Sequence, residues 1–407
     1  MTTPPLPRAL RGIYCLDDFE TAARAHLPRP LFGYIAGAAE TNRSLRDNRE
    51  AFDDYRFIAR VLVDISTRSA ATTLFGQQYN APFGIAPVGI AALTAYRGDI
   101  VLATAAARAG IPMIMSGSSL IRLEDVVAAN PNAWFQAYLP GNMDAISALI
   151  ERVARAGFGT LVITTDTPVA ANRENNLRSG FATPLRPSLR LAWDGITHPR
   201  WLLGTFLRTL ARHGVPHFEN NYATRGAPII SPNVERDFSD RGHLTWDHFA
   251  RIRAQWKSTL VVKGILSVAD AVIARDAGAD GIIVSNHGGR QLDGAVAPLH
   301  VLPAIVKACP QIPVMMDSGI RRGTDVLKAL ALGADAVGIG RLEGLAMAAG
   351  GTAAVVRMLE LLEIEMGANL ALMGLSSIDQ LHPACVLPAE PVVSPHVLSG
   401  FPLLDDY

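Results

Sequence analysis

The sequence predicts an α/β fold: a (β/α)8 TIM barrel with an N-terminal helical extension and a long insertion after the fourth strand. Three observations carry that expectation. Eight short apolar runs with the length and β-branched content of buried strands recur from residue 83 onward. Ala- and Leu-rich helical stretches separate most of them, and most runs lie roughly 20–30 residues apart, the length of one strand–helix unit. Polar or charged residues stand where the runs stop, the end at which such barrels carry their sites. A doubly wound open sheet is the alternative architecture, but no GxGxxG follows the first strand.

Taken in order, residues 1–12 are rich in Pro and Arg and are expected to be loosely ordered. Leu16 through His26 reads as a capped helix with an acidic first turn. Leu31 to Glu40 is a small-residue stretch around Tyr34, whose plainest role is packing. The strand-like runs are FGIAPV (83–88), PMIMS (112–116), WFQAY (134–138), TLVITTD (160–166), LVVKG (260–264), GIIVSN (281–286), PVMMDS (313–318) and AVGIG (336–340). Helices are expected at Asp99–Ala109, Asp144–Ala156, Val268–Ala277 and Thr324–Leu332. The chain thus reads as one domain over 1–407: an extension (1–80), a barrel (83–366) interrupted by an insertion (167–259), and a tail (367–407).

Composition excludes several classes. Lys+Arg and Asp+Glu are each 37, so no global field attracts nucleic acid, and no basic run or RNA-binding signature appears. Cys15, Cys309 and Cys385 are far apart and in no CxxC pair, which argues against a disulfide framework or structural zinc and for a reducing compartment. The first residues lack the order of a signal peptide, and no charge-free run has the length a bilayer needs. A cytoplasmic location is expected.

The insertion breaks the rhythm. From Leu185 to Pro216, Trp193, Trp201, Leu202, Leu203, Phe206 and Leu207 alternate with Arg186, Arg190, Arg200, Arg208 and Arg212, against the single acid Asp194. Two readings stand side by side: an interfacial membrane segment, and a helical lid over the barrel mouth. His213 and His217 have a metal-compatible spacing but no evident carboxylate partner, so no metal is expected.

The chemistry collects at the strand ends. These carry Ala86-Pro87-Val88-Gly89, Ser116, Gln136 with Tyr138, Thr164 with Asp166, Lys263, Ser285 with His287, Asp317, and Gly340 with Arg341. In a packed barrel they all face a single mouth, where unpaired charges would cost stability without a function. The stretch SNHGGRQ (285–291) offers an imidazole able to take a proton and a guanidinium able to hold a carboxylate. Asp317 to Gly323 leads into a helix and Gly340-Arg341 follows the eighth run, the placement of a barrel phosphate site.

With these segments in view, the chain resembles the FMN-dependent L-2-hydroxy acid dehydrogenases and oxidases. The resemblance spans Tyr34 to Arg341 and rests on APVG (86–89), FQAY (135–138), TTDTPVAANRE (164–174), VVKGI (261–265), SNHGGRQ (285–291), DSGIRRGTD (317–325) and GIGR (338–341). It implies FMN held at Ala86, Pro87, Val88, Ser116, Gln136, Thr164, Lys263, Ser285, Asp317, Gly319, Arg321, Gly340 and Arg341. It implies a substrate carboxylate gripped by Arg173 and Arg290 with the hydroxyls of Tyr34 and Tyr138 nearby. His287 would be the base, taking either the Cα proton or the hydroxyl proton, and Asp166 would orient it and favour its protonated form. Lys263 would stabilise negative charge growing on the flavin. A homotetramer is the family expectation.

Departures bear on substrate and acceptor. Members similar to glycolate oxidase carry Trp two residues past the Ser116 position; Ser118 here opens the pocket to a larger side chain, such as phenyl. Gly89 stands where many members have Ala, and the segment His198 to Pro216 resembles the membrane-associated mandelate dehydrogenase branch. Ser318 replaces a motif glycine, adding one hydroxyl. The expected activity is oxidation of a mandelate-like or lactate-like L-2-hydroxy acid to the 2-oxo acid, with electrons passed to a quinone on the inner face of the cytoplasmic membrane. The rivals are a soluble oxidase that makes H₂O₂ from O₂, and a phosphate-binding barrel with no redox role.

Overall fold

The computed structural model describes residues 7–182, 184, 188–231 and 241–389. All eight expected runs are strands of one parallel sheet: β1 (Phe83–Ile85), β2 (Ile114–Ser116), β3 (Trp134–Ala137), β4 (Thr160–Thr164), β5 (Thr259–Ile265), β6 (Gly281–Val284), β7 (Val314–Met316) and β8 (Ala336–Ile339). From β2 to β8 each strand pairs with the next, and β8 returns to β1. The seam between β1 and β2 is closed by a parallel bridge, Ile85 to Met113, in which Ile85 N–H donates to Pro112 O at 2.9 Å. The sheet is a barrel.

Side chains alternate along a strand, so every second residue shares a face. The lower interior layer is apolar and includes Ile114, Trp134, Val162, Val261, Ile283, Met315 and Ala336, capped from below by Leu74, Phe75 and Tyr79 of a short hairpin. Two residues further along six of those strands come Ser116, Gln136, Thr164, Lys263, Ser285 and Asp317. One more step of two gives Tyr138, Asp166 and His287. With its floor filled, the barrel opens at one end only, and the chemistry-bearing residues are stacked there by the period of the strand.

The expected helices form at Gly98–Ala109, Met143–Ala156, Val268–Asp276 and Gly323–Ala331. Asn142 and Ser267 cap the second and third with their side-chain oxygens. Helix Asp18–His26 also forms, with Asp18 and Glu20 in its first turn. The N-terminus departs from expectation. Leu10 is buried and reaches Gly350, so residues 7–12 are anchored on the 341–372 helix, while 1–6 lie outside the described residues.

Among the described residues one helical stretch, Arg341–Leu372, has the length and hydropathy to cross a bilayer. Gly350 and Gly351 interrupt it, and it packs against helices Gly98–Ala109 and Asp18–His26, which makes it a barrel helix. The expected barrel limit at 366 falls inside it. Within the tail, Val386–Pro388 pairs with Tyr55–Phe57; residues 390–407 lie outside the described residues.

The insertion contains helices Glu174–Ser179 and Leu189–Ile196, then a run from Pro199 to His213 that is π-helical over Leu202–Leu207, and later Trp246–Gln255. Leu185 and Arg186, counted in the expected amphipathic segment, lie outside the described residues. The inner side of the run is docked: Trp201 is buried, donates from Nε1 to Leu93 O at 2.7 Å and stacks on Phe206. The outer side is apolar and in water, with Leu189 93% exposed and Trp193 66% exposed beside Ile196 and Leu203. His213 meets the Tyr96 hydroxyl at 2.9 Å and His217 Nδ1 meets Gly226 O at 2.9 Å. Neither expected role for the segment excludes the other: one face covers the barrel, the other is free.

Candidate active site

A cavity of about 750 Å³ opens over the barrel mouth. Of the expected site residues, Tyr34, Ala86, Pro87, Val88, Tyr138, Arg173, Lys263, His287, Arg290, Asp317, Gly319, Arg321, Gly340 and Arg341 line it. Ser116, Gln136, Thr164, Asp166 and Ser285 do not line it; they are bonded beneath or behind residues that do. Ser116 and Gln136 are register partners, as are Thr164 and Lys263.

The base loop is built under strain. His287, Gly288 and Gly289 have φ of 60°, 67° and 73°, all left-handed. For His287, a residue with a Cβ, that conformation costs about 1–2 kcal/mol. Gly289 could carry no Cβ, which would lie 2.7 Å from Leu45 N. Three side-chain oxygens hold the turn by its amides. His287 N–H donates to Ser285 Oγ at 3.0 Å, Gly288 N–H to Ser318 Oγ at 3.0 Å and Gly289 N–H to Asn286 Oδ1 at 3.1 Å. Asn286 is itself locked by Asn48 through two reciprocal amide bonds of 2.8 and 2.6 Å.

His287 Nδ1 lies 2.9 Å from Asp166 Oδ1, and Nε2 lies 3.4 Å from the Tyr138 hydroxyl. A carboxylate on Nδ1 keeps the proton there and leaves Nε2 as the basic atom facing the cavity. Burial pushes the Asp166 carboxyl up, but His287 and Lys263 outweigh it and hold it below the ordinary value. Asp166 reaches this position because β5 bulges at Gly264 (φ 107°), where a Cβ would sit 2.7 Å from that of Asp166. Burial, with the charge of Asp166 second, pushes the Tyr138 phenol up to about 12, so it stays a neutral donor.

Lys263 is 3% exposed, 2.9 Å from Asp317 Oδ2, and donates to Ser285 Oγ at 2.7 Å. Burial alone would lower its ammonium; Asp317 and Asp166 outweigh that and raise it. It stays charged at the barrel axis.

Arg173, Arg290 and Arg341 are positioned by carbonyl oxygens rather than by acids. Arg290 Nη1 donates to Tyr34 O and Gly37 O at 2.7 and 2.8 Å, and its guanidinium lies over the Tyr34 ring. Its Nη2 is buried with no protein partner. Arg173 donates from Nε to Arg290 O at 3.1 Å and from Nη2 to Gln291 Oε1 at 2.8 Å. Arg341 spans Ile35 O, Gly37 O and Gly288 O. Burial and neighbouring guanidiniums lower Arg290 to about 10 and Arg341 to about 9. Arg321 lines the cavity and pairs with Asp17 at 3.1 Å. The mouth is cationic and prepared for two anions, one phosphate-like and one carboxylate-like.

The donor set fits FMN. Gln136 Oε1 is taken by Ser116 Oγ and Gly117 N–H, which leaves Gln136 Nε2, together with Thr164 Oγ1, buried without a protein partner. Gln136 and Thr164 lie one step behind the lining, next to Ser118 and Lys263, and donors left unsatisfied there are costly unless a ligand rich in acceptors reaches that layer. Gly319, Gly340 and Arg341 all line this cavity, a set of backbone amides and a guanidinium suited to a phosphate.

Sequence reasoning missed residues that act from a distance. Asn48 comes from helix Arg43–Glu50, far from the barrel in sequence, and only folding brings it to Asn286. Gln291 stands inside a motif already singled out, yet its ties to Arg173 and to Asp166 O carried no sequence signal. Phe181 and Phe218, both buried, line the cavity from the insertion. Phe181 packs on Tyr34 with ring centroids 4.6 Å apart.

Comparison with known proteins gives one consistent result. Residues 23–388 match the family model described as FMN-dependent dehydrogenase. The chain is 35% identical over 380 residues to (S)-mandelate dehydrogenase of Pseudomonas putida, covering 92% of this chain and 93% of that protein. It is 39% identical over 368 residues to L-lactate dehydrogenase of Pectobacterium atrosepticum, covering 89% and 93%. Among solved structures, the monotopic membrane protein (S)-mandelate dehydrogenase superposes with a TM-score of 0.85 at 34% identity, over 93% of this chain and 100% of that one. Mandelate oxidase with benzoyl-formic acid gives 0.77 at 34% identity, over 93% and 99%.

Proposed function

The chain belongs to the FMN-dependent dehydrogenase family, and from that premise we propose that it oxidises an L-2-hydroxy acid to the 2-oxo acid. The observation that carries this reading is the pair Asp166–His287, 2.9 Å apart, at a mouth that also holds the unpartnered Nη2 of Arg290. A base and a carboxylate anchor at one opening are the two groups that oxidation beside a carboxylate requires.

Each residue then has a task. Arg290 and Arg173 bind the substrate carboxylate and fix the reacting carbon toward the barrel. His287 Nε2 takes the proton released on oxidation, and Asp166 stabilises the imidazolium. Tyr138, kept neutral, donates to the substrate oxygen. Bound FMN supplies the two-electron acceptor, held by the strand-end residues from Ala86 to Arg341. Lys263 adds the positive field, kept charged by Asp317 and Asp166.

Mandelate-like acids suit the pocket better than lactate-like ones. Ser118 and Gly89 are small, and Phe181 and Phe218 add aromatic surface to the lining. At Gly89 an added Cβ would lie 3.2 Å from Ser118 and 3.4 Å from the Tyr34 hydroxyl, so a methyl there narrows the same space. The exposed face of Leu189, Trp193, Ile196 and Leu203 with Arg190 and Arg200 supports docking on the inner face of the cytoplasmic membrane, with a quinone as acceptor. Similarity to mandelate oxidase supports the second reading, a soluble oxidase using O₂.

The test is anaerobic flavin bleaching with a panel of L-2-hydroxy acids from small to aromatic, followed by admission of air. Bleaching by aryl substrates and slow reoxidation fit the dehydrogenase. Fast reoxidation with peroxide assigns the oxidase. No bleaching by any hydroxy acid refutes both.

A further inference from the structure

Ser318 is a residue with a Cβ held at φ 81°, in a left-handed conformation that glycine adopts freely and serine does not. It is buried, and its hydroxyl makes two bonds. Oγ donates to Asp317 Oδ1 at 2.9 Å and accepts from Gly288 N–H at 3.0 Å. The one hydroxyl proton is committed to the carboxylate, so a lone pair is left aimed at the base loop.

These bonds close a ring. Asp317 Oδ2 pairs with Lys263 Nζ at 2.9 Å, Lys263 Nζ donates to Ser285 Oγ at 2.7 Å, and Ser285 Oγ accepts from His287 N–H at 3.0 Å. Two successive amides of the strained loop are therefore tied, through two serines, to the two ends of one buried ion pair. Other anchors of the loop backbone, Asn286 on Gly289 N–H, Ala39 N–H on Gly289 O and Arg341 on Gly288 O, make no bond to that pair.

We propose that Ser318 is a positioning residue for the base: its hydroxyl couples the His287–Gly288 turn to the Lys263–Asp317 pair and so fixes the height of the imidazole over the mouth. The inference rests on the reading of His287 as base. It also accounts for an L residue where a glycine would be free of strain, since glycine would supply the turn without the hook.

Ser318→Gly removes the hydroxyl and the strain together; Ser318→Ala removes the hydroxyl and keeps the strain. Both are made in the flavin-loaded protein. Amide hydrogen exchange of the peptide carrying Gly288 is expected to quicken about 3- to 10-fold in each, the equivalent of one lost hydrogen bond. The turnover number is expected to fall by a similar factor of about 3–10 with KM within about twofold, because the carboxylate anchors are untouched. Unaltered exchange at Gly288, or full turnover in Ser318→Gly with loss only in Ser318→Ala, overturns the proposal and assigns the residue to backbone geometry alone. The exchange comparison stands even if the parent reduces with no hydroxy acid, so failure of this inference and failure of the functional reading are separable.

Discussion

Asp166→Asn isolates the charge behind the base with almost no change of shape. The carboxylate oxygen lies 2.9 Å from His287 Nδ1, and the two side chains are 13% and 16% exposed, so solvent screens the pair only in part. At an effective dielectric of about 20 and a charge separation of about 4 Å, the ion pair formed as His287 takes a proton is worth about 4 kcal/mol. Asparagine keeps an oxygen for Nδ1–H, and that bond retains about 1–2 kcal/mol of it. The net loss of about 2–3 kcal/mol falls on the proton-accepting state alone, which is a slowing of about 30- to 150-fold. The amide nitrogen takes the place of Asp166 Oδ2, which has no protein partner, so no bond is broken there. The assay is the single-turnover rate of flavin bleaching under anaerobic conditions, with KM from steady state as control. A bleaching rate within about threefold of the parent refutes the role of the carboxylate. A rise in KM with unchanged bleaching assigns Asp166 to binding instead.

Two further outcomes are expected. Asp99 is buried, its Oδ2 lacks a partner, and burial pushes its carboxyl up to about 7. The folded state therefore holds a proton that the unfolded chain releases above the ordinary aspartate value, and that contribution is full at low pH and lost as pH rises toward 7. Asp99→Asn should match the parent near pH 4 and exceed it by about 2–4 kcal/mol near pH 8, read from denaturant melts; a pH-independent difference refutes this. For the proposed membrane face, Trp193→Glu with Leu203→Glu places two acids on a segment that also carries the exposed Arg190, Arg200 and Arg208. It should move the protein from the membrane to the soluble fraction while anaerobic bleaching by a soluble hydroxy acid is unchanged, and an unaltered distribution removes that face from the interaction.

The barrel was legible because its signal repeats: eight apolar runs, most with a polar or charged residue at or next to the end, and a helix between most of them. The site was legible where a strand carries it, since a period of two sets Ser116, Gln136, Thr164, Lys263, Ser285 and Asp317 in one layer. What could not be read is what arrives from elsewhere. Asn48 holds the base loop from a helix preceding the barrel, and nothing local to Asn48 distinguishes it from a solvated polar residue. The order of residues 7–12 was missed because one buried leucine, Leu10, outweighs a composition that otherwise reads as loose. The insertion gave two readings because an amphipathic stretch has two faces, and periodicity alone does not say which one meets the barrel.

The pairing of charges explains why this mouth is built as it is. Lys263 has a carboxylate partner, while Arg290 and Arg341 are held by the carbonyls of Tyr34, Ile35, Gly37 and Gly288. Carbonyls orient a guanidinium without neutralising it, and both arginines are lowered by burial first and by neighbouring guanidiniums second, with no acid among the described residues bonded to either to offset this. Had acids occupied those places, the mouth would be more stable and would no longer attract a phosphate or a carboxylate. On the proposed reading, stability is given up where the two anions would bind and kept at Lys263, where the positive field would have to persist through the reaction. The same division explains the strained turn at 287–289: its amides are satisfied by oxygens fixed to the rigid sheet and to helix Arg43–Glu50, so the imidazole stays aimed while the anion sites remain unsatisfied.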